Sequence, residues 1–373
     1  MINTYTSFQL LTRDLDKTMS RVSKQPVVQR DTDYYLANIG KVKSIDDFLN
    51  NPRLFNYAMK AHGLEDMIFA KAFIKKALDE GLDNPDSFAN RLNDKRYAEF
   101  VRSFNFAALG EEATTFNRAN QGTTGFFTIR FTTPGQPVPA EVQRETDYFA
   151  ANIGHIKSID EFLHKDNERL LAYAMSAYEL EDNFADKKLL RTMLEGGTAG
   201  ENSPANKHAN EKWAEFVKAF DFAGLGEDAT TYNRAQKPSV DKYLRQTMEE
   251  DAGAQNEGVR FALYFSRKAP EIQNAYQILG DKALSKVVRT LLRLPDSIAQ
   301  LDVDKQAKII ESKFDFDDFR DPAKLEKLMT RFTTLWEVEN PTMPVASMTL
   351  SLFQPVEFGI SQNTLMAIAS MKR

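Results

Sequence analysis

The chain contains no cysteine. That absence excludes disulfides, thiolate metal ligands and a cysteine nucleophile together, and it leaves the compartment open, because a thiol-free chain suits a reducing cytoplasm and the outside of a cell equally. Histidine is scarce too. The four present, His62, His155, His164 and His208, share no metal-ligand spacing and read as surface or structural residues. The serines show no GxSxG and have no plausible histidine partner, so nucleophilic catalysis is unsupported. The glycine-rich insertion from Gly196 to Pro204 lacks the glycine spacing of a phosphate-binding or dinucleotide-binding loop and reads as an exposed loop. No cofactor is expected. Long apolar runs are missing as well: nothing approaches the ~18 consecutive apolar residues of a membrane helix, and no membrane insertion is expected. The first twenty residues lack the basic start and apolar core of a cleavable signal peptide, so export, if it happens, uses a route without one. Charge of one sign is also lacking. With 48 basic and 53 acidic residues, net −5, there is no electrostatic reason to expect nucleic acid or an anionic membrane as partner.

What the chain does contain is itself, twice. FNFAALGEEATTFNRA, Phe104 to Ala119, returns as FDFAGLGEDATTYNRA, Phe220 to Ala235, 116 positions later. That period is far longer than a solenoid repeat, so each copy reads as the end of a small domain. Upstream, RDTDYYLANIGKVKSIDDFL (Arg30 to Leu49) returns as RETDYFAANIGHIKSIDEFL (Arg144 to Leu163), and YAMKAHGLED (Tyr57 to Asp66) as YAMSAYELED (Tyr173 to Asp182). A small insertion after Leu163 shifts the register, after which YAEFVRSF (Tyr97 to Phe104) aligns ungapped with WAEFVKAF (Trp213 to Phe220). Ring replaces ring where packing is expected, and Lys replaces Arg on what should be a wet face. A third, eroded copy is expected from the ungapped match of Pro85 to Phe106 with Pro295 to Phe316, although nothing after Phe316 reproduces the Ala-Thr-Thr ending.

A chain of 373 residues, 42% hydrophobic and 27% charged, has globular composition and room for two or three domains. The expected fold is mainly α: tandem duplicated helical domains with a third divergent helical unit and a short strand-like linker arm. The expected divisions are an N-terminal helical segment (1–25), repeat 1 (26–120), a linker (121–143), repeat 2 (144–235), divergent repeat 3 (240–340) and a C-terminal tail (341–373). Phe8, Leu11, Leu15, Met19 and Val22 form one helical stripe, suited to docking on the first domain or to a coiled coil. Asp31 or Thr32 is expected to cap a helix that Gly40 ends, and Ser44 with Asp47 opens the next in capping-box fashion. Leu64, Ile68, Ala72 and Leu78 read as one amphipathic helix. Each buried Phe of the helix ending at Phe104 contributes ~1.5–3 kcal/mol, so Phe104→Ala is expected to damage folding before binding.

Three places suggest contact with another protein. Phe127, Ile129 and Phe131 alternate like a strand within the Gly-, Thr- and Pro-rich linker, and such an arm either packs on a neighbouring unit or binds a partner. Asn117-Arg118 and Asn233-Arg234 each end a repeat with a planar amide beside a guanidinium, suited to clamping the next unit or to binding a backbone or carboxylate. The apolar C-terminal segment with Leu365, Met366 and Ile368 is the third. The paired carboxylates Glu65-Asp66 and Glu181-Asp182 attract acid–base chemistry on paper, but neighbours on a helix diverge, and a first-turn dipole role is the stronger reading.

The segment YLRQTMEEDAGAQNEGVRFALYFSRKAPEIQNAYQILGDKAL, the GLED-containing helix and MTRFTTLW resemble an uncharacterised alphaproteobacterial family catalogued as a domain of unknown function. The resemblance covers nearly the whole chain. Members of that family are often encoded among flagellar genes, so the resemblance implies association with the bacterial flagellum and carries over no catalytic residue. The leading expectation is a non-enzymatic, flagellum-associated structural or assembly protein that binds protein partners, flagellar components, through its repeated helical modules, with assembly into a symmetric complex open to it. Equivalent repeat surfaces can grip equivalent protomers of such a partner. The alternative is a cytoplasmic adaptor or chaperone-like module for a flagellar subunit; an enzyme stands third.

Overall fold

The computed structural model describes residues 3–340, and among them all regular structure is helical. Packing divides the chain into two compact units. One is Asp16–Met248; the other joins the described residues of Met1–Leu15 to those of Glu249–Arg373.

The N-terminal stripe is not one helix. It breaks at Arg13 and Asp14 into α1 (Thr4–Thr12) and α2 (Leu15–Ser23). α2 belongs to the larger unit. α1, with Phe8 buried, is part of the smaller one, so the segment does not dock as a whole on the first repeat.

Repeat 1 runs through α3 (Pro26–Ile39), α4 (Ile45–Asn50), α5 (Pro52–Ala61), α6 (Lys71–Glu80), α7 (Phe88–Arg91), α8 (Arg96–Ser103) and α9 (Phe106–Leu109). α3 begins earlier than the Asp31 or Thr32 cap predicted, because Pro26 supplies the first-turn φ without needing a hydrogen-bond donor. Thr32 then faces inward and pairs with the Tyr57 hydroxyl at 3.0 Å. Gly40 ends α3 with an ordinary right-handed φ of −66°, so no left-handed turn is used there. Ser44 caps α4 as expected, its Oγ accepting from the Asp47 amide at 3.0 Å. Leu64 and Ile68 lie outside α6, on a separate 3-10 turn and its exit, so the expected single helix is divided.

A further helix, α10 (Thr123–Phe131), precedes repeat 2, which repeats the order as α11 (Ala140–Asn152), α12 (Ile159–Leu163), α13 (Glu168–Ala177), α14 (Lys187–Gly196), α15 (Pro204–Lys207), α16 (Lys212–Ala219) and α17 (Phe222–Leu225). The cores are copies at the level of individual rings. Phe48 meets Phe104 at 4.7 Å and Phe162 meets Phe220 at 4.8 Å, while Phe100–Phe104 and Phe216–Phe220 are 5.0 and 5.1 Å apart. The buried Thr114 hydroxyl donates to the Val42 carbonyl, and Thr230 donates to Ile156. On the surface Arg53 pairs with Asp31 over the Tyr34 ring, as Arg169 pairs with Glu145 over Tyr148. Gly81 and Gly197 both take positive φ, and a Cβ on either would stand under 3 Å from the Cβ of Ala107 or Ala223. Only glycine fits such a turn at such an approach.

The predicted strand-like arm is a helix. Phe127 and Phe131 lie on one side of α10, rings 4.7 Å apart. Their four-residue spacing satisfies a helical face as well as strand alternation does, and a core that accepts the helix settles the choice. That core belongs to repeat 2: Phe127 stacks on Tyr173 at 3.9 Å, and the Thr123 hydroxyl lies 3.4 Å from that of Tyr178. The counterpart after repeat 2 is the start of α18 (Lys237–Gln255). There Tyr243, 116 positions after Phe127, stacks at 3.8 Å on Tyr57 of repeat 1, and Tyr35 donates to the Ala235 carbonyl at 2.6 Å. Each repeat therefore gives its trailing helix to the other.

The smaller unit holds α1, α19 (Glu257–Lys268), α20 (Ala275–Leu279), α21 (Lys282–Leu292), α22 (Val303–Glu311) and α23 (Pro322–Glu339), with α1 packed on α19 and α23. The Thr4 amide donates to the Glu337 carboxylate at 3.0 Å, and Asn256 donates to the Thr4 hydroxyl at 2.9 Å. Gly258 lets Trp336 close on α19, since a Cβ there would come within 2.3 Å of the indole. This is the third divergent helical unit, but its register differs from the sequence match. Gly63, Glu179 and Arg293 all take left-handed φ (66°, 55° and 52°), and the following Leu64, Leu180 and Leu294 amides close back on Met59, Met175 and Arg289. The end of α21 thus equals the ends of α5 and α13, and α22 packs on α20 as α6 does on α4. Pro295 to Glu311 takes the place of Glu65 to Glu80, one segment earlier than the ungapped match to Pro85–Phe106 implies.

Candidate functional site

The two Asn-Arg pairs meet. In repeat 1 the chain leaves Phe116 extended, and Asn117 caps a single π-type turn, Arg118–Gly122, by accepting from the Asn120 amide at 2.9 Å. The other end of that side chain donates to the Tyr232 carbonyl at 3.1 Å. Asn233 mirrors it, accepting from the Ala235 amide at 2.8 Å and donating to the Phe116 carbonyl at 2.7 Å. Gln236 adds a bond to the Thr114 carbonyl at 3.0 Å. Both asparagines are buried. Their hydrogen bonds are made inside the unit, so they clamp one repeat to the other, which is the first of the two roles their sequence suggested and corrects the protein-binding one, although an edge of Asn233 reaches the wall of the cleft described next.

Arg118 and Arg234, next in the chain, point the other way. Both are exposed and line a cleft of about 370 Å³ between the repeats. Phe116, Tyr232, Leu109 and Leu225 give it an apolar lining. Arg102 and Lys218, from the last turns of α8 and α16, add two more cations, against one carboxylate, Asp221. Every one of these residues is matched by its counterpart 116 positions away, Asp221 by Asn105, so the cleft lies where the two repeats face each other as near-equivalents. Arg118 and Arg234 stand out in the sequence, whereas Arg102 and Lys218 read there as part of a wet face. Their signal was the preserved positive charge in YAEFVRSF and WAEFVKAF.

Burial sets the ionisation of the aromatic layer behind the junction. The Tyr35 and Tyr57 phenols are pushed far above their ordinary range by desolvation, and Tyr173 is pushed up to about 12 for the same reason. Tyr178 is raised by burial, opposed by its bond to Thr123 and by the Arg118 guanidinium.

The remaining candidates fall elsewhere. Phe127 is packed in the core of repeat 2; Phe131, beside it on the same side of α10, is 42% exposed, and Ile129 is 77% exposed. Leu365, Met366 and Ile368 lie outside the described residues. The carboxylates of Glu65-Asp66 and Glu181-Asp182 do not converge: Glu181 engages Arg130 and Ser176, and Glu65 lies 4.0 Å from Lys60. His62 is buried edge-on to Phe100. Among the described residues no group of three or more His, Asp or Glu is arranged to hold a metal, and no helix is long and apolar enough to cross a membrane.

A crystal structure of a protein from Agrobacterium tumefaciens is similar to this chain at 35% identity, over 91% of this chain and 94% of that one, with a TM-score of 0.53. No curated protein matches the sequence. The profile of the family described as "Protein of unknown function (DUF1217)" matches residues 61–166 and 177–325. With more than half of its length matched, the chain belongs to the DUF1217 family.

Proposed function

We propose that this protein is a non-enzymatic structural or assembly component of the bacterial flagellum that grips protein partners through its paired repeats. The observation that carries the reading is the junction of the repeats. Duplicated cores exchange their trailing helices and present matched side chains, Arg102 with Lys218 and Arg118 with Arg234, at one open cleft. Matched surfaces on one chain suit a partner made of equivalent protomers, because the second contact forms at high effective concentration once the first is made. The flagellar assignment draws its support from the sequence resemblance described above.

The test is fractionation of cells carrying a tagged full-length chain. The protein is expected in flagellar preparations, is expected to vanish from them when the export apparatus is disabled, and its deletion is expected to impair motility. Protein confined to the cytosol yet crosslinked to a flagellar subunit would replace this reading with the adaptor. Cytosolic protein in a deletion strain background of normal flagella and normal swimming would remove the flagellum from the account.

A further inference from the structure

We infer that the cleft between the repeats is a docking site for an acidic segment of a partner protein, one that places an apolar side chain between two carboxylates. The inference rests on the protein-binding reading above and adds the chemistry of what is bound.

Charge is the first argument. The chain as a whole carries net −5, yet the cleft gathers Arg102, Arg118, Lys218 and Arg234 around a single carboxylate. Among the described residues none of these four makes an ion pair or a side-chain hydrogen bond within the protein. Elsewhere on the same unit comparable cations are paired: Arg53 with Asp31, Arg169 with Glu145, Arg191 with Asp160. Four like charges held on one concave wall repel one another and focus a positive field into the cleft, which a carboxylate relieves. Guanidinium groups suit that role because their planar fork meets a carboxylate with two parallel bonds.

Shape and lining narrow the ligand. A volume of about 370 Å³ is at the small end of ligand pockets, enough for a few side chains and too little for a folded surface to enter. The same cleft is lined by Phe116, Tyr232, Leu109 and Leu225. A bare inorganic anion would leave that apolar wall wet, whereas an aliphatic side chain covers it and gains about 25 cal/mol for each Å² removed from water. Each repeat contributes two of the four cations and half of the apolar lining, so the complementary segment carries a negative charge for each repeat, one on either side of its apolar residue.

Asp221 breaks the equivalence. Its counterpart in repeat 1 is Asn105, and both cap the next short helix, Asp221 accepting from the Gly224 amide at 2.9 Å and Asn105 from the Ala108 amide at 3.3 Å. Asn caps as well as Asp does. Asp221→Asn therefore removes the one negative charge of the cleft while keeping its structural bond.

The test is calorimetric titration of the full chain with the blocked peptide Gly-Glu-Leu-Glu-Gly, its Gln-for-Glu counterpart and inorganic phosphate. The Glu peptide is expected to bind, the Gln peptide to bind at least about tenfold more weakly, and the Glu affinity to fall steeply with added salt. Arg118→Gln with Arg234→Gln, both exposed and expected not to lower the melting temperature, is expected to abolish binding, and Asp221→Asn to tighten it about threefold, the size of one screened charge contact. Equal binding of the Glu and Gln peptides overturns the inference. So does binding unaffected by the double variant, or a phosphate that displaces the Glu peptide at equal concentration. Failure here with retained crosslinks to flagellar subunits in cells would move the partner to another surface; loss of both would remove the protein-binding reading itself.

Discussion

Tyr57 and Tyr243 stack with ring centroids 3.8 Å apart and planes 12° from parallel, although 186 positions of chain separate them. The same contact recurs as Phe127 on Tyr173 at 3.9 Å. In both cases the acceptor ring belongs to one repeat and the incoming ring to the helix that trails the other, so the duplicated halves are tied by exchange as well as by adjacency.

Removing an incoming ring should therefore loosen the repeat that receives it. Phe127→Ala is expected to cost ~3–5 kcal/mol by the usual scale for a buried ring, whereas Ile129→Asn, on the exposed side of the same helix, is expected within about 0.5 kcal/mol of the parent. Urea unfolding compares them. Equal costs would mean that α10 is not seated on Tyr173.

Asn117→Ala and Asn233→Ala each strip a donor from a half-buried carbonyl and a cap from a turn. A loss of ~1–3 kcal/mol apiece is expected. Because each clamps the segment that carries the other, the double variant should depart from the sum of the singles by more than ~0.5 kcal/mol. Strict additivity in a double-mutant cycle would show that the two clamps act separately.

Glu179 occupies a left-handed position that repeat 1 fills with Gly63. Glu179→Gly is expected to raise the midpoint temperature even though it removes the ion pair with Lys212, since exposed pairs contribute little. Gly63→Ala should go the other way, by ~1–2 kcal/mol. Calorimetric scans of the two variants give the signs directly.

Alkaline pH should unfold the larger unit ahead of any surface effect. Burial raises the Tyr35, Tyr57 and Tyr173 phenols, the last to about 12, above the value of about 10 of an unfolded tyrosine. For an acid whose folded pKa is raised, the stability is full below the unfolded value and is lost as pH climbs through the folded one. Stability is thus expected to hold to about pH 10 and to fall toward pH 12. Tyr173→Phe should soften that fall while costing roughly 1 kcal/mol at neutral pH for the bond to Thr146. An unchanged alkaline transition in the variant would remove Tyr173 from its cause.

Much of this was written in the order of residues. Paired rings such as Phe48 with Phe162 and Phe104 with Phe220 announce two copies of one core, and the preserved Ser44 and Ser158 caps fix where corresponding helices begin. Local patterns failed where two structures share a spacing. Phe127 and Phe131 suit a strand edge or a helical face, and a Pro-Asp-Ser sequence recurs at Pro295 without recurring in place, since the left-handed turn at Arg293 sets the register. Arg102 and Lys218 read as solvated charges because nothing nearby in sequence says that they line one cleft.

Sequence by itself determined the duplication, the helical character of the modules and the rings that fill them, because burial of apolar residues at fixed helical spacing is a local demand repeated verbatim. Tertiary structure alone decided which core receives which trailing helix. Both cores offer the same tyrosine, Tyr57 or Tyr173, to an incoming ring, so the local pattern does not distinguish the two trailing helices. The path of the connecting chain breaks that tie, and with it sets the pairing of Asn117 with Asn233 and the cleft between Arg118 and Arg234.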